Sequence, residues 1–268
     1  MNSIKIIIAG ILILAAAVFL AGCTGTSTSP TVDLKYRVDP GTLLEYQMQT
    51  DVSGANATTE IHTIDMNVSE IKGDGIVWDA VIKTQPVNGT TPVTPFRFST
   101  DSRGILNNVS PEKQILVTMM VIPETLVYPE GPVRAGDRWQ YSPAFNGTMN
   151  VSGIPVEYRY TAQNTYTYLG NGTIAVPTGT FDCSNILQNG TSHLTFTMPI
   201  ENKTVITSID GTYTGDNWVR ADNGYLISSD YETDTTTIID ASSMTGDPLG
   251  LSMIGSTSHS RTSVRLLR

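Results

Sequence analysis

Along most of this 268-residue chain, apolar and polar residues alternate with a period of two, as in Leu44, Tyr46 and Met48, in Ile64, Met66 and Val68, or in Val156, Tyr158 and Tyr160. Successive side chains of an extended strand point to opposite faces, so each such run buries one face and wets the other. Gly, Asn, Asp and Pro cluster between the runs and supply turns. These runs are antiparallel strands, and the fold expected is mainly β, built on one large, curved antiparallel sheet. Only 15% of its residues are charged, against a usual ~25%. Thr, Ser, Asn and Gly carry the polarity instead, which suits the wet face of a pleat. Tyr158, Tyr160, Tyr166 and Tyr168 fall on two runs expected to pair with their rings on one face. Aromatic rows of this kind bind sugars in some surface proteins and simply pack the sheet in others.

One segment departs from the alternation. Ser110, Pro111 and Glu112 lead into Lys113 to Ile122, with Ser as N-cap, Pro in the first turn and Pro123 as the stop. The spacing predicts one short helix near 110–122 whose face of Ile115, Leu116, Met119 and Met120 lies across a sheet.

The chain also matches itself. Val38, Gly41, Leu44 and Tyr46 correspond to Val133, Gly136, Trp139 and Tyr141, and Val52-Ser53-Gly54 corresponds to Val151-Ser152-Gly153. Gly73-Asp74-Gly75 is matched with Gly170-Asn171-Gly172, and the step from Phe98 to Gly104 with that from Trp218 to Gly224. Either two tandem β-meanders are related, or meanders reuse the same turns. If related, residues 33–128 form a first β unit and 129–268 a second, with an inserted hairpin around Cys183 to Lys203. The link Pro129 to Pro132 is too short for a flexible linker, so both units are expected in one domain.

Residues 1–22 have the layout of a cleaved export signal: Lys5, an apolar run from Ile6 to Leu20, then Ala21-Gly22 before Cys23. A thiol there takes a lipid while small residues admit a peptidase. The competing reading is an uncleaved membrane helix, since the apolar run nears the ~17 residues a span needs. Residues 23–32 form a Thr/Ser tether without large apolar side chains after the lipidated Cys23. Eight such residues reach at most ~28 Å. Both readings place the domain at the outer face of the cell membrane, with membrane lipid as its first partner.

Nine of the 14 asparagines after Cys23 begin Asn-x-Ser/Thr: Asn56, Asn67, Asn88, Asn108, Asn146, Asn150, Asn171, Asn189 and Asn202. Chance would give about three, and the excess points to N-glycosylation. Asn-Gly-Thr, found at Asn88, Asn146, Asn171 and Asn189, is also good turn chemistry. A lipid-bearing cysteine together with dense sequons suits an archaeal-type cell surface. The net charge of −9 argues against nucleic-acid binding.

Catalytic and cofactor patterns are missing. His62, His193 and His259 are scattered, with no second ligand at metal spacing, and are expected on exposed strand positions. Ser110-x-x-Lys113 lacks the partner motif of the penicillin-recognising enzymes, and the glycines around Ser252 are one residue too far apart for a nucleophile elbow. No catalytic site, metal or cofactor is expected, and the chain is not read as an enzyme. Cys183 is left without an intramolecular partner and is expected to be a buried structural thiol. Arg261, Arg265 and Arg268 form the one basic cluster and are candidates for contact with anionic headgroups.

Gly136-Asp137-x-Trp139, Pro177 to Cys183, and Trp218 through Gly224-Tyr225-Leu226 resemble a pattern of exported β-rich proteins similar to the lipoprotein-carrier half-barrel superfamily. The resemblance implies a half-barrel whose helix at 111–122 is a lid and whose inner face contacts lipid. The function expected is a non-enzymatic, membrane-anchored surface lipoprotein that binds a hydrophobic ligand or an envelope component such as a surface-layer protein. The alternatives are a structural spacer or docking module, and an enzyme of another class.

Overall fold

The computed structural model describes residues 30–54, 57–85, 92–107, 126–151, 153–200, 203–242 and 253–268. The predicted helix near 110–122, the signal, Cys23, and Asn56, Asn88, Asn108 and Asn202 lie outside them. Every named element is a strand: β1 (Leu43–Ser53), β2 (Thr58–Lys72), β3 (Gly75–Thr84), β4 (Val93–Thr100), β5 (Leu106–Asn107), β6 (Arg138–Tyr141), β7 (Ala144–Val151), β8 (Ile154–Val176), β9 (Gly179–Ile200), β10 (Lys203–Arg220), β11 (Leu226–Asp240) and β12 (Met253–Leu266). All belong to one large, curved antiparallel half-barrel sheet of order β5-β4-β3-β2-β1-β12-β11-β10-β9-β8-β6, with β7 also on β8. Two meanders thus meet at a seam between the first strand and the last, where Tyr46 faces Leu266 and Ser53 faces His259.

The halves repeat one another in hydrogen bonding. A turn with glycine in the left-handed region precedes each half, Asp39 to Thr42 with Gly41 at φ 87° and Arg134 to Asp137 with Gly136 at φ 93°. The closing bonds are Thr42 N to Asp39 O at 3.0 Å and Asp137 N to Arg134 O at 2.9 Å, the pattern of a type II turn. Gly41 N then donates to Val68 O and Gly136 N to Tyr168 O, each at 2.7 Å. The strands so reached are bulged just beyond, at Val68/Glu70 and Tyr168/Gly170. Val68 therefore corresponds to Tyr168. The sequence match of Gly73 with Gly170 is out of register, because Gly73 sits in the β2–β3 turn and Gly170 in a bulge inside β8.

One end of the half-barrel is closed by a reciprocal clasp. The segment leading into β1 passes over Gly224 of the second half, and the segment leading into β6 passes over Gly104 of the first. Both glycines have positive φ, 77° and 89°, and a Cβ on either would collide with a carbonyl oxygen, of Lys35 or Leu126. The two leading segments join through a Val32–Val133 bridge, and the Tyr128 hydroxyl donates to Gly224 O. Beneath them lies the main core, with Leu34, Tyr46, Ile64, Trp78, Phe98, Leu126, Tyr128 and Val264 fully or almost fully buried. The space left among Tyr36, Leu44, Tyr46, Met66, Trp78 and Leu226 is about 10 Å³, too little for a ligand.

Residues 154–176 are one strand of 23 residues, not the two paired runs expected. The four tyrosines do share its inner face, and all are buried. Trp139 stacks on Tyr166 at 5.4 Å and Phe145 on Tyr160 at 4.7 Å, so the row packs the sheet. Cys183 to Ile200 are likewise no separate hairpin but most of β9, and Lys203 opens β10.

Candidate functional site

Cross-strand register divides the inner face into three zones along the strands. Nearest the clasp is the filled core. Next comes a buried polar belt on β8 to β11, where Gln188 Nε2 donates to Asn164 Oδ1 at 3.1 Å and the Tyr213 hydroxyl donates to the same oxygen. The Tyr231 hydroxyl lies 2.8 Å from Gln188 Oε1 and 2.7 Å from Asn217 Oδ1, Ser229 Oγ donates to Asn217 Oδ1 at 3.0 Å, and Asn217 Nδ2 to Ile186 O at 3.2 Å. Two glycines make the belt possible. Gly190 is opposite Tyr213 and Gly215 opposite Tyr231, and a Cβ on either would strike the ring lying across it. Buried amides satisfied in this way fix the register of four strands.

Beyond the belt, toward the open end, the inner face becomes apolar again. Tyr158, Tyr160, Ala162 and Leu194 form a second buried cluster, flanked by half-buried Phe145, Met149, Phe196 and Ile209. This cluster, separated from the main core by polar groups, is the candidate site. It is held on β7, β8, β9 and β10, so a ligand would meet a rigid wall of side chains rather than loops. Burial raises the hydroxyl ionisation of Tyr160, and of Tyr213 beside it, far above the ordinary phenol range, so these rings offer neutral donors only.

The outer face holds one arrangement that invites a catalytic reading. Thr195 Oγ1 lies 3.0 Å from His193 Nε2, and His193 Nδ1 lies 2.7 Å from Asp210 Oδ1, the order of nucleophile, base and orienter. His193 and Asp210 stand exposed and Thr195 half-buried on interior strands. The ladders of β8, β9 and β10 consume the backbone N–H groups there, which leaves no backbone pair to hold an oxyanion. Among the described residues no group of three or more His, Cys, Asp or Glu is placed to hold a metal.

Several expectations change in the fold. His193 is exposed and His259 half-buried, but His62 is buried on the inner face with Nδ1 3.0 Å from Thr84 Oγ1. The basic tail is neutralised: Arg261 pairs with Glu232 at 2.9 Å, Arg265 with both oxygens of Asp230 at 2.8 and 2.9 Å, and Arg268 with Glu45 at 2.8 Å. It is not free for headgroups. Cys183 is fully buried and its thiol is pushed up to about 11 by desolvation first and Asp182 second.

Of the sequons in the described residues, Asn146, Asn150, Asn171 and Asn189 are exposed and Asn67 is half-buried. Three of the Asn-Gly-Thr tripeptides lie inside strands, at Asn146 in β7, Asn171 in β8 and Asn189 in β9, so turn chemistry does not account for them. The two-residue period explains the choice of residues instead. Asn189 and Thr191 point outward, while Gly190 between them points inward beneath the ring of Tyr213.

No protein-family model matches the chain, and no curated protein is significantly similar to it. Among solved structures, a Bacteroides fragilis NCTC 9343 protein described as exported and YmcC-like in fold aligns over 88% of this chain and 99% of its own, at 10% identity and a TM-score of 0.35. A protein of Parabacteroides distasonis ATCC 8503 described as a lipoprotein aligns over 87% and 98%, at 15% identity and a TM-score of 0.34. A loop-deletion mutant of OmpT, an outer-membrane protein of Vibrio cholerae, aligns over 85% and 100%, at 9% identity and a TM-score of 0.31. All three of these similar proteins are bacterial.

Proposed function

We propose that the chain is an exported protein held at the outer face of the cell membrane by a lipid on Cys23, and that it binds an apolar ligand, or the apolar part of an envelope component, without catalysing a reaction. The observation that carries this reading is the second apolar cluster on the inner face, which leaves Phe145, Met149, Phe196 and Ile209 half-buried at the open end of a sheet whose other end is filled. Side chains of this kind gain ~1.5–3 kcal/mol each on full burial. The exposed strand sequons are its sites of N-glycosylation.

Native mass spectrometry of the protein extracted from membranes tests the ligand. A bound apolar adduct is expected, reduced by Phe196→Asp with the β spectrum intact. A ligand-free spectrum together with no uptake of a fluorescent fatty acid overturns the reading. Incorporation of labelled lipid that disappears in Cys23→Ser tests the anchor separately.

A structural spacer is the second reading, supported by the length of β8: its 23 residues extend ~75 Å. Crosslinking in intact cells distinguishes it by a dominant protein partner in the absence of any bound ligand.

A further inference from the structure

The alternation that organises the sheet fails at one place. At the open end, consecutive residues on three adjacent strands are apolar: Val205 and Ile206 on β10, Ile238 and Ile239 on β11, and Met253 and Ile254 on β12. The register brings them level, since Ile206 faces Asp240 across β10–β11, Asp240 faces Met253, and Ile239 faces Ile254. Met198 and Ile200 on β9 and Val151 at the end of β7 continue the set. Ile206 is 39% exposed, Val151 40%, Met253 58% and Ile254 65%, which is four of the eight exposed large apolar side chains among the described residues. Glu157, Arg159, Lys203 and Asp240 are the described charged residues at this level.

Successive strand residues point to opposite faces, so the ends of β10 to β12 carry apolar side chains on both sides, Val205, Ile239 and Ile254 inward and Ile206, Ile238 and Met253 outward. A ligand in the concavity or a partner strand would cover one side only. A lipid bilayer surrounds whatever enters it, and so it matches an end that is greasy on both faces. We propose that the tip of β9 to β12 inserts into a lipid bilayer. The chain enters the fold at Val32 in the clasp, at the opposite end of strands that run roughly 40 Å between Val219 and Ile206. The tip and the point where the chain enters the fold thus lie at opposite ends of these strands. The lipid contact does not rest on the anchor proposed above. The contact is uncharged in character, because the arginines of β12 are paired and the chain is acidic overall.

The test uses the full chain reconstituted by its own N-terminal anchor into one vesicle population. A second, protein-free population of phosphatidylcholine vesicles carries a fluorescent lipid and a brominated lipid. Capture of the second population is expected, with about a tenfold or greater loss in Ile206→Ser/Ile239→Ser/Ile254→Ser and no gain when anionic lipid is added. A dye on Ile206→Cys should be quenched by the brominated lipid and one on Thr214→Cys should not. Unimpaired capture by the serine variant, equal quenching at both positions, or no quenching at Ile206→Cys overturns the proposal. If the protein is not retained on the first vesicles, the anchor reading has failed, and quenching in direct mixtures with the second population still decides the tip.

Discussion

Two glycines carry the closed end. Gly104 and Gly224 hold left-handed backbone and lie directly under carbonyl oxygens of the two leading segments. An alanine at either position meets both penalties at once, an unfavourable φ and a backbone collision. Gly104→Ala and Gly224→Ala are each expected to lower unfolding free energy by on the order of 2 kcal/mol or more, read as a lower urea midpoint at unchanged slope. Gly131→Ala, with open space around it, should leave the midpoint within experimental scatter. The contrast separates the clasp from any general loss of glycine flexibility.

At the scale of the elements, the polar belt is the test of how β8 to β11 are kept in register. Tyr231→Phe keeps the ring over Gly215 and removes the hydroxyl between Gln188 Oε1 and Asn217 Oδ1. A buried acceptor deprived of its donor costs about 1–3 kcal/mol, so this variant should lose that much in denaturant titration. It should also show faster amide exchange on β10 and β11 than on β2 and β3. The same belt explains how much of the molecule was legible in its sequence. Alternation marks the strands, and the turn glycines mark the repeat, because both follow from short-range geometry. Asn164 in the middle of β8 breaks the apolar run and reads as a turn, yet its side chain is satisfied by Gln188 and Tyr213, which lie 24 and 49 residues away. The candidate site was hidden for the same reason: Phe145, Tyr160, Leu194 and Ile209 are neighbours only through pairings that no local pattern encodes. The arginine tail looked free because its partners Glu45, Asp230 and Glu232 sit on strands far from it in the chain.

For the whole molecule, buried tyrosines set the alkaline limit of stability. Desolvation raises Tyr128, Tyr160, Tyr166 and Tyr213 above the ordinary phenol value. Their contribution is fully present below ~10, where the unfolded chain also keeps the protons. Above that pH the unfolded chain releases protons that the folded one retains, so stability falls as pH rises. The melting temperature should therefore drop steeply above pH 10. Tyrosinate absorbance should appear together with loss of the β signal, and a smooth phenolic titration with the fold intact would contradict this.

The seam between β1 and β12 has a consequence for biogenesis. Each meander can pair within itself as it emerges, but β1 and β11 both wait for β12, which follows every other strand in the chain. The N-terminal half must therefore persist with an open edge at β1 until β12 has been made. Without β12 the two sheets lose their continuous ladder and meet only through the clasp. The fourteen-residue strand thus completes the sheet, and resistance to proteolysis is set by its arrival.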